Sequence, residues 1–373
     1  MPRSVKSPCV QGFDRRLWPG KVFGLLSPMR PRGTPDNPPN RFERTRIELD
    51  RDFTPSEGEL PGVELIRDPT RTIVARNDSP DVGFDASVNP YRGCEHGCSY
   101  CFARPFHEYL GYSAGLDFET KILFKPEAPA LLRRKLASPR WQPRVLALSG
   151  VTDCYQPAER RLRITRGCLE VLAEFRNPTA IITKSWLVTR DVDLLAELAR
   201  HDAASVAISL TTLDRDLQRI LEPAASPPER RLAAIETLAA AGIPVTALVA
   251  PVIPAITDHE IPAILEAAAA AGARTAGKVM LRLPHGVAPL FDAWLERHFP
   301  ERRKKVLSQV RAMRNGKLYD GRYAVRQRGE GFHAEQTEAI FELARRRHGL
   351  AREGAELSTA AFRRPGAEQL GLL

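Results

Sequence analysis

The sequence predicts an α/β fold around a parallel sheet, and three observations carry that expectation. Six short apolar runs follow one another between residues 82 and 283. Helix-like stretches fall between them. The runs are about six residues long and the intervening stretches about 10–18, which is the spacing of βαβ units. Six units are too few for a closed eightfold barrel, which leaves an open, partial barrel or a doubly wound sheet. In either architecture the active site lies at the carboxyl ends of the strands.

Taken in chain order, residues 1–46 read as a flexible basic extension. Pro28, Pro31, Pro35, Pro38 and Pro39 stand among Arg, Gly and Asn with little apolar periodicity. Residues 47–80 are a mixed lead-in. The strands are expected at Val82–Val88, Arg144–Ser149, Thr179–Thr183, Ser205–Leu210, Pro244–Val249 and Lys278–Leu283. Ala158–Phe175 reads as a helix with apolar Leu162, Leu169, Leu172 and Phe175. Asp191–Arg200 opens with Asp after Thr189-Arg190, an N-cap pattern. Pro227–Ala241 follows Ser226 with Pro at its first positions, and Asp258–Ala271 starts after Thr257 and stops at Gly272. The repeat unit is thus 81–285, followed by a basic, mostly helical extension over 286–373 with one helix at Glu335–Arg346.

Composition excludes several classes. The 373 residues are 43% hydrophobic and 27% charged, which rules out general disorder, collagen and a disulfide miniprotein. The net charge of +10 is uneven: residues 1–46 and 296–373 each carry +7, and 47–295 carry −4. Basic flanks, rather than a basic coat, are the candidate contact surface for nucleic acid. The richest apolar run, Leu238 to Ile256, is interrupted by Gly242, Pro244, Pro251 and Pro254, so no membrane span is expected. The first six residues lack an apolar signal region, and the expected compartment is the cytoplasm.

Three of the six cysteines lie within eight residues, after the first strand: Cys94-x3-Cys98-x2-Cys101. With Gly93 and Gly97 permitting a tight loop, three thiolates can wrap one compact inorganic core. A four-iron cubane takes four cysteines as a rule, so three local ligands leave one iron open to a small molecule. Structural zinc with His96 or His107 as fourth ligand is the competing reading. However, Cys94, Cys98 and Cys101 make only one cluster, and Cys154 and Cys168 are isolated.

This Cys-x3-Cys-x2-Cys loop, with Tyr100 before its last cysteine and at the end of the first strand of a β/α repeat, resembles the radical S-adenosylmethionine superfamily. The resemblance implies a partial (β/α)6 TIM-like barrel in which Cys94, Cys98 and Cys101 hold a [4Fe-4S] cluster. Its fourth iron would chelate S-adenosyl-L-methionine (SAM), and reductive cleavage would yield a 5′-deoxyadenosyl radical. It also implies an external electron donor of flavodoxin or ferredoxin type and places Tyr100 by the adenine. Ser87-Val88-Asn89-Pro90-Tyr91-Arg92-Gly93-Cys94, Ser149-Gly150-Val151-Thr152-Asp153-Cys154-Tyr155-Gln156-Pro157, Ile182-Thr183-Lys184-Ser185, Leu221-Glu222-Pro223 and Ala250-Pro251-Val252-Ile253-Pro254 are similar to the spore-photoproduct-lyase-like branch, often labelled DNA repair photolyase. In that branch's namesake, a cysteine after the second strand returns hydrogen to the product. Gly150 stands there in this chain, and Cys154 follows four residues on.

The remaining candidates sit at strand ends. Thr152 and Asp153, after the second strand, could hydrogen-bond an ammonium group or cap a turn. The family's contacts to the methionine end of SAM fall in this region. Lys184 follows the third strand and suits a carboxylate, as a family lysine does. Ser209 ends the fourth strand, and its hydroxyl must find a partner, the ribose or a backbone group. Arg282 points a charge towards the same end, with substrate, cofactor and Glu222 as open partners. Glu222 with Arg230-Arg231 reads as a structural ion pair, and Arg326–Gly331 reads as a loop without the phosphate-loop Lys-Ser/Thr. The function expected is a radical SAM enzyme, a lyase or related class, abstracting hydrogen from a substrate for which nucleic acid is preferred. The alternatives are a radical SAM enzyme acting on a protein or small metabolite, and a zinc- or cluster-stabilised nucleic-acid-binding module.

Overall fold

The computed structural model describes residues 32–42 and 62–365. Ten strands occur among them: β1 Glu64–Arg67, β2 Val74–Arg76, β3 Ala86–Val88, β4 Tyr91–Arg92, β5 Lys121–Phe124, β6 Leu146–Leu148, β7 Thr179–Thr183, β8 Ala204–Ser209, β9 Val245–Val252 and β10 Thr275–Met280. The helices are α1 Asp117–Thr120, α2 Ala128–Ala137, α3 Glu159–Leu162, α4 Ile164–Phe175, α5 Val192–Ala199, α6 Arg215–Leu221, α7 Pro228–Ala240, α8 Ile261–Ala270, α9 Val287–His298, α10 Pro300–Ala312, α11 Val325–Arg328 and α12 Phe332–Arg347.

The main sheet runs β10-β9-β8-β7-β6-β3-β2, parallel throughout except for the antiparallel pair β2–β3. All six expected strands are present, with ends shifted by a few residues. Their order never reverses: each β/α unit adds its strand on the same side. A doubly wound sheet reverses at a switch point, whereas barrels grow in one sense. The architecture is therefore the partial, TIM-like one. Val88, Leu146, Leu148, Ile181, Val206 and Val249 from the strands pack against Leu132, Leu172, Leu198, Ile235 and Leu265 from the helices in one buried core. α12 extends the outer layer, burying Phe341 in that core and placing Glu338 2.8 Å from Lys278 of β10.

Four expectations need correction. First, Ala158–Phe175 is two helices. The buried Glu159 carboxylate accepts from the Thr165 and Arg166 amides (3.0 and 3.3 Å), capping α4 from within the chain, and Arg163 takes a left-handed conformation at the break. Second, Asp191 does not cap α5: its carboxylate is 0% exposed and serves Arg166, Arg190 and the Tyr155 hydroxyl. Third, the lead-in 47–80 contains β1 and β2, and β1, β5 and β4 form a separate three-stranded sheet. These strands are two to four residues long, too short for a periodic signal.

Fourth, part of the extension 1–46 is docked; residues 1–31 and 43–46 lie outside the described residues. The Gly33 and Thr34 amides donate to the buried Glu119 carboxylate (3.0 and 3.2 Å), and Asn40 donates to the Glu108 carbonyl at 2.8 Å. The Gly33 backbone presses so closely on the Gly97 carbonyl that a Cβ there would lie 1.5 Å from it. Proline and glycine density signalled missing regular structure, which is correct, but could not signal a polar docking site supplied by residues 108 and 119.

Candidate active site: a three-thiol loop at the carboxyl ends of the sheet

The cysteine loop leaves β4 and is shaped by its glycines. Gly93 and Gly97 have φ of +78° and +66°, and a Cβ on Gly97 would lie 2.8 Å from a Glu119 carboxylate oxygen. Backbone bonds then pin the loop on both sides: Cys94 N to Phe118 O (2.9 Å), Ser99 N to Leu221 O (3.1 Å) and Ala224 N to His96 O (3.2 Å). Below it lies Arg104, 0% exposed, whose guanidinium donates twice to the Cys98 carbonyl (3.0 and 2.9 Å) and also to Ala114, Gly115 and Glu119.

His107 supports the loop from beneath. Its ring lies 5.2 Å from Tyr112 and 5.6 Å from Phe118. Burial lowers its pKa to about 4, with Asp117 opposing. The sign follows: the unfolded chain takes up a proton near pH 6.5 and the native ring resists until about 4, so stability falls as pH drops through that window. The full loss is about 3 kcal/mol. Urea midpoints measured between pH 7 and pH 4 should fall accordingly, and His107→Phe should flatten that slope.

The three thiols face one cavity of about 280 Å³, close to the lower end of ligand pockets at roughly 300 Å³. Every expected site residue lines it. Cys94, Cys98, Tyr100 and Cys101 come from the loop, Thr152 and Asp153 from beyond β6, Lys184 from beyond β7, and Ser209 from the end of β8. The position matches the carboxyl-end rule.

The side chains differ in how free they are. The Thr152 hydroxyl donates to the Tyr91 carbonyl at 2.9 Å, so it fastens the loop's lead-in strand. Asp153 accepts from the Thr183 hydroxyl (2.8 Å) and the Lys184 amide (2.8 Å) and lies 3.4 Å from His96 Nδ1. Burial opposes its charge, but His96 and these donors hold the carboxyl below its ordinary range. Lys184 Nζ donates to the Ala250 carbonyl at 2.8 Å, lies 3.3 Å from Glu222 and sits 5.8 Å from the Tyr100 ring centre.

Glu222 is the residue that sequence reasoning under-read. It does pair with Arg231, while Arg230 instead lies over Trp186 and takes no part. Yet its carboxylate, 0% exposed, also accepts from the Tyr100 hydroxyl and from Thr211 (2.7 Å). Burial opposes the charge; Arg231 and Lys184 outweigh it and hold the carboxyl far below the usual range. Glu222 thus sets the position of two cavity side chains. A second missed feature is Arg326–Gly331. It is not all loop: α11 presents Gln327 to the cavity, and Arg326 is ion-paired to Asp81. No spacing in the sequence links residue 81 to 326.

Gly150 lines the cavity, whereas Cys154 is buried in the main core, 0% exposed, and Cys168 likewise. Among the described residues, the thiols at the cavity are the three of the loop.

A one-way parallel β/α sheet carries three cysteines around one cavity at its carboxyl end, an arrangement that suits an inorganic cluster beside a small-molecule pocket. In comparison with known proteins, residues 88–268 match the model of the radical SAM superfamily and form a radical SAM domain. An uncharacterized protein of Mycobacterium tuberculosis (strain ATCC 25618 / H37Rv) is 41% identical over 220 residues, which is 58% of this chain and 65% of the relative. One of Methanocaldococcus jannaschii is 30% identical over 173 residues, 46% of this chain and 62% of the relative. The matches therefore span less than two thirds of these relatives. Among solved structures, spore photoproduct lyase complexed with dinucleoside spore photoproduct superposes with a TM-score of 0.57, at 17% identity, over 77% of this chain and 81% of that one. A mutant of that enzyme with bound AdoMet and dinucleoside spore photoproduct gives 0.56, at 17% identity, over 79% and 82%. These likenesses establish a shared fold.

The superfamily uses a [4Fe-4S] cluster and SAM, and these are the cofactors of the domain. The residues fit the cluster. Burial raises all three thiols above their ordinary range, and Cys94 is raised further by Asp153, Cys98 and Cys101. Thiols crowded and buried in this way become thiolates only when a cationic centre is bound among them, which iron supplies.

Proposed function

We propose that this protein is a radical SAM enzyme that abstracts hydrogen from a nucleic-acid substrate. The observation that carries the reading is the convergence of Cys94, Cys98 and Cys101 with Tyr100, Asp153, Lys184 and Ser209 around one cavity at the strand ends. Cys94, Cys98 and Cys101 would hold the [4Fe-4S] cluster, which would supply the reducing power for cleavage of SAM and hence radical chemistry at the cavity. The chain's own part is to bind and to shield. Tyr100, fixed by Glu222, offers its ring to the adenine. Lys184 takes the carboxylate, the acidic and hydroxyl groups at Asp153 and Thr152 frame the ammonium end, and Ser209 meets the ribose. Val82, Phe84, Phe102 and Val279 form apolar walls that keep water from a reactive species.

In this reading, 81–285 is the catalytic barrel, and of the extension 286–373 the described residues, up to 365, contribute Gln327 to the cavity and α12 to the outer layer. An external flavodoxin- or ferredoxin-like donor provides the electron, and the cytoplasm is the compartment. No helix among the described residues is long and apolar enough to cross a membrane. The nucleic-acid preference draws on the fold shared with spore photoproduct lyase and on the basic flanks. Gly150 at the cavity sets the chemistry apart, since no thiol is available there to return hydrogen.

The test is deuterium transfer. Reconstituted, reduced protein incubated with SAM and deuterated DNA or RNA should form deuterated 5′-deoxyadenosine. Transfer from a protein or a small metabolite, with none from nucleic acid, would replace the substrate assignment and keep the enzyme.

A further inference from the structure

Arg282 at the cavity is half-buried and Arg314 behind it is fully buried, and neither makes an ion pair among the described residues. Arg314 is 0% exposed; its guanidinium donates to the Leu281 carbonyl (3.0 Å) and to the Val325 carbonyl, and its Nε has no partner. Arg282, just beyond β10, lines the cavity with its guanidinium 4.7 Å from the centre of the Phe102 ring. Its Nε is also buried without a partner. The carboxylates nearby are committed elsewhere. Asp81 is bound to Arg326, and Asp320 and Glu330 are bound to Arg322. Neither Arg282 nor Arg314 has an ion-pair partner among the described residues.

This arrangement strains both cations. Burial lowers the pKa of Arg282, and Arg326 adds to the effect while Tyr319 and Asp81 oppose it. Burial and the adjacent Arg282 bring Arg314 down to about 10, against opposing Asp320, Tyr319 and Glu330. Buried charge is costly unless paired, and an anion in the cavity would supply the partner that Arg282 lacks.

We propose that Arg282 is the substrate's anion subsite and takes a phosphodiester of the nucleic-acid strand, with Arg314 reinforcing the positive field behind it. This deepens the function proposed above and rests on it. The guanidinium fork matches two phosphate oxygens at once. Stacking on Phe102 fixes its plane, and the unpartnered Nε is a donor not yet spent. Val82, Phe84 and Val279 give the cavity apolar walls on which a base can pack.

The experiment uses the cluster-loaded, SAM-bound protein and a fluorescein-labelled deoxythymidine octamer, read by anisotropy over a salt series. Arg282→Gln should weaken binding about tenfold and reduce the salt slope by about one. Arg282→Lys, which keeps the charge but loses the fork, should recover part of the affinity. Iron content and SAM affinity are measured on each variant. An octamer affinity equal to wild type in Arg282→Gln overturns the subsite alone. So does a loss of SAM affinity with octamer binding intact, which would give the guanidinium to the cofactor's carboxylate. A wild-type protein that does not bind the octamer overturns both the subsite and the nucleic-acid assignment.

Discussion

Cys98→Ala is expected to remove bound iron and SAM cleavage together, while Cys168→Ala leaves both in place. The two thiols are chemically alike and both buried, at 6% and 0% exposed. Their surroundings separate them. Cys98 faces the cavity with two other thiols and Lys184, whereas Cys168 packs among Leu169, Leu172 and the rest of the main core. Removing one of three ligands leaves a cluster with two protein anchors, too few to retain it against exchange into solvent. Removing the Cys168 sulfur costs core packing alone, about 1 kcal/mol. Iron per chain and 5′-deoxyadenosine yield, measured on both variants after the same reconstitution, separate these outcomes. Iron lost from Cys168→Ala would mean that the ligand set is wrong.

Glu222→Gln should have the largest effect on stability. The carboxylate is the one acidic group shared by Arg231, Lys184, Tyr100 and Thr211, all drawn inward around it. Arg231 is itself 1% exposed, so neutralising its partner leaves a buried guanidinium uncompensated, a loss of roughly 3–5 kcal/mol. The pH dependence has a definite sign. The folded carboxyl lies below its ordinary pKa, so its contribution is present above about pH 4.3 and is lost as pH falls further. Urea unfolding of the cluster-free protein at pH 7 reads the stability difference, and the variant should lose the acid-dependent part. SAM affinity should fall as well, because Tyr100 and Lys184 lose their common anchor. Unaltered stability would mean that Arg231 finds another partner and that Glu222 does not organise the site.

The sheet was legible because its central strands have no exposed face and so read as short, mainly apolar runs without a charged residue, as Thr179–Thr183 and Ala204–Ser209 illustrate. The cysteine loop was legible because ligands to one compact core must be close in sequence when a single loop supplies them. What escaped shares a different physical origin. Arg326 finds Asp81, Glu119 holds Gly33 and Thr34, and Tyr100 finds Glu222 across separations of 245, 86, 85 and 122 residues. Polar pairs at such distances leave no periodic trace. Short strands such as β2 and β4 leave none either, since two or three residues cannot show alternation. The division of Ala158–Phe175 into α3 and α4 is similar: the apolar spacing continues across the break, and the buried Glu159 that causes it reads in sequence as an ordinary surface glutamate.

The charge distribution also acquires a location. The basic flanks could be assigned from sequence only to docking or solubility. In the folded chain, Arg314 and Arg326 from the C-terminal segment lie near enough to Arg282 to act on its charge, so part of that excess stands close to the site.

The most direct test of the central claim is anaerobic reconstitution of the wild-type chain with iron and sulfide, followed by reduction in the presence of SAM. The account predicts about four irons per chain held by three cysteines, and 5′-deoxyadenosine as a product. One tightly bound zinc per chain, with no 5′-deoxyadenosine formed, would contradict it.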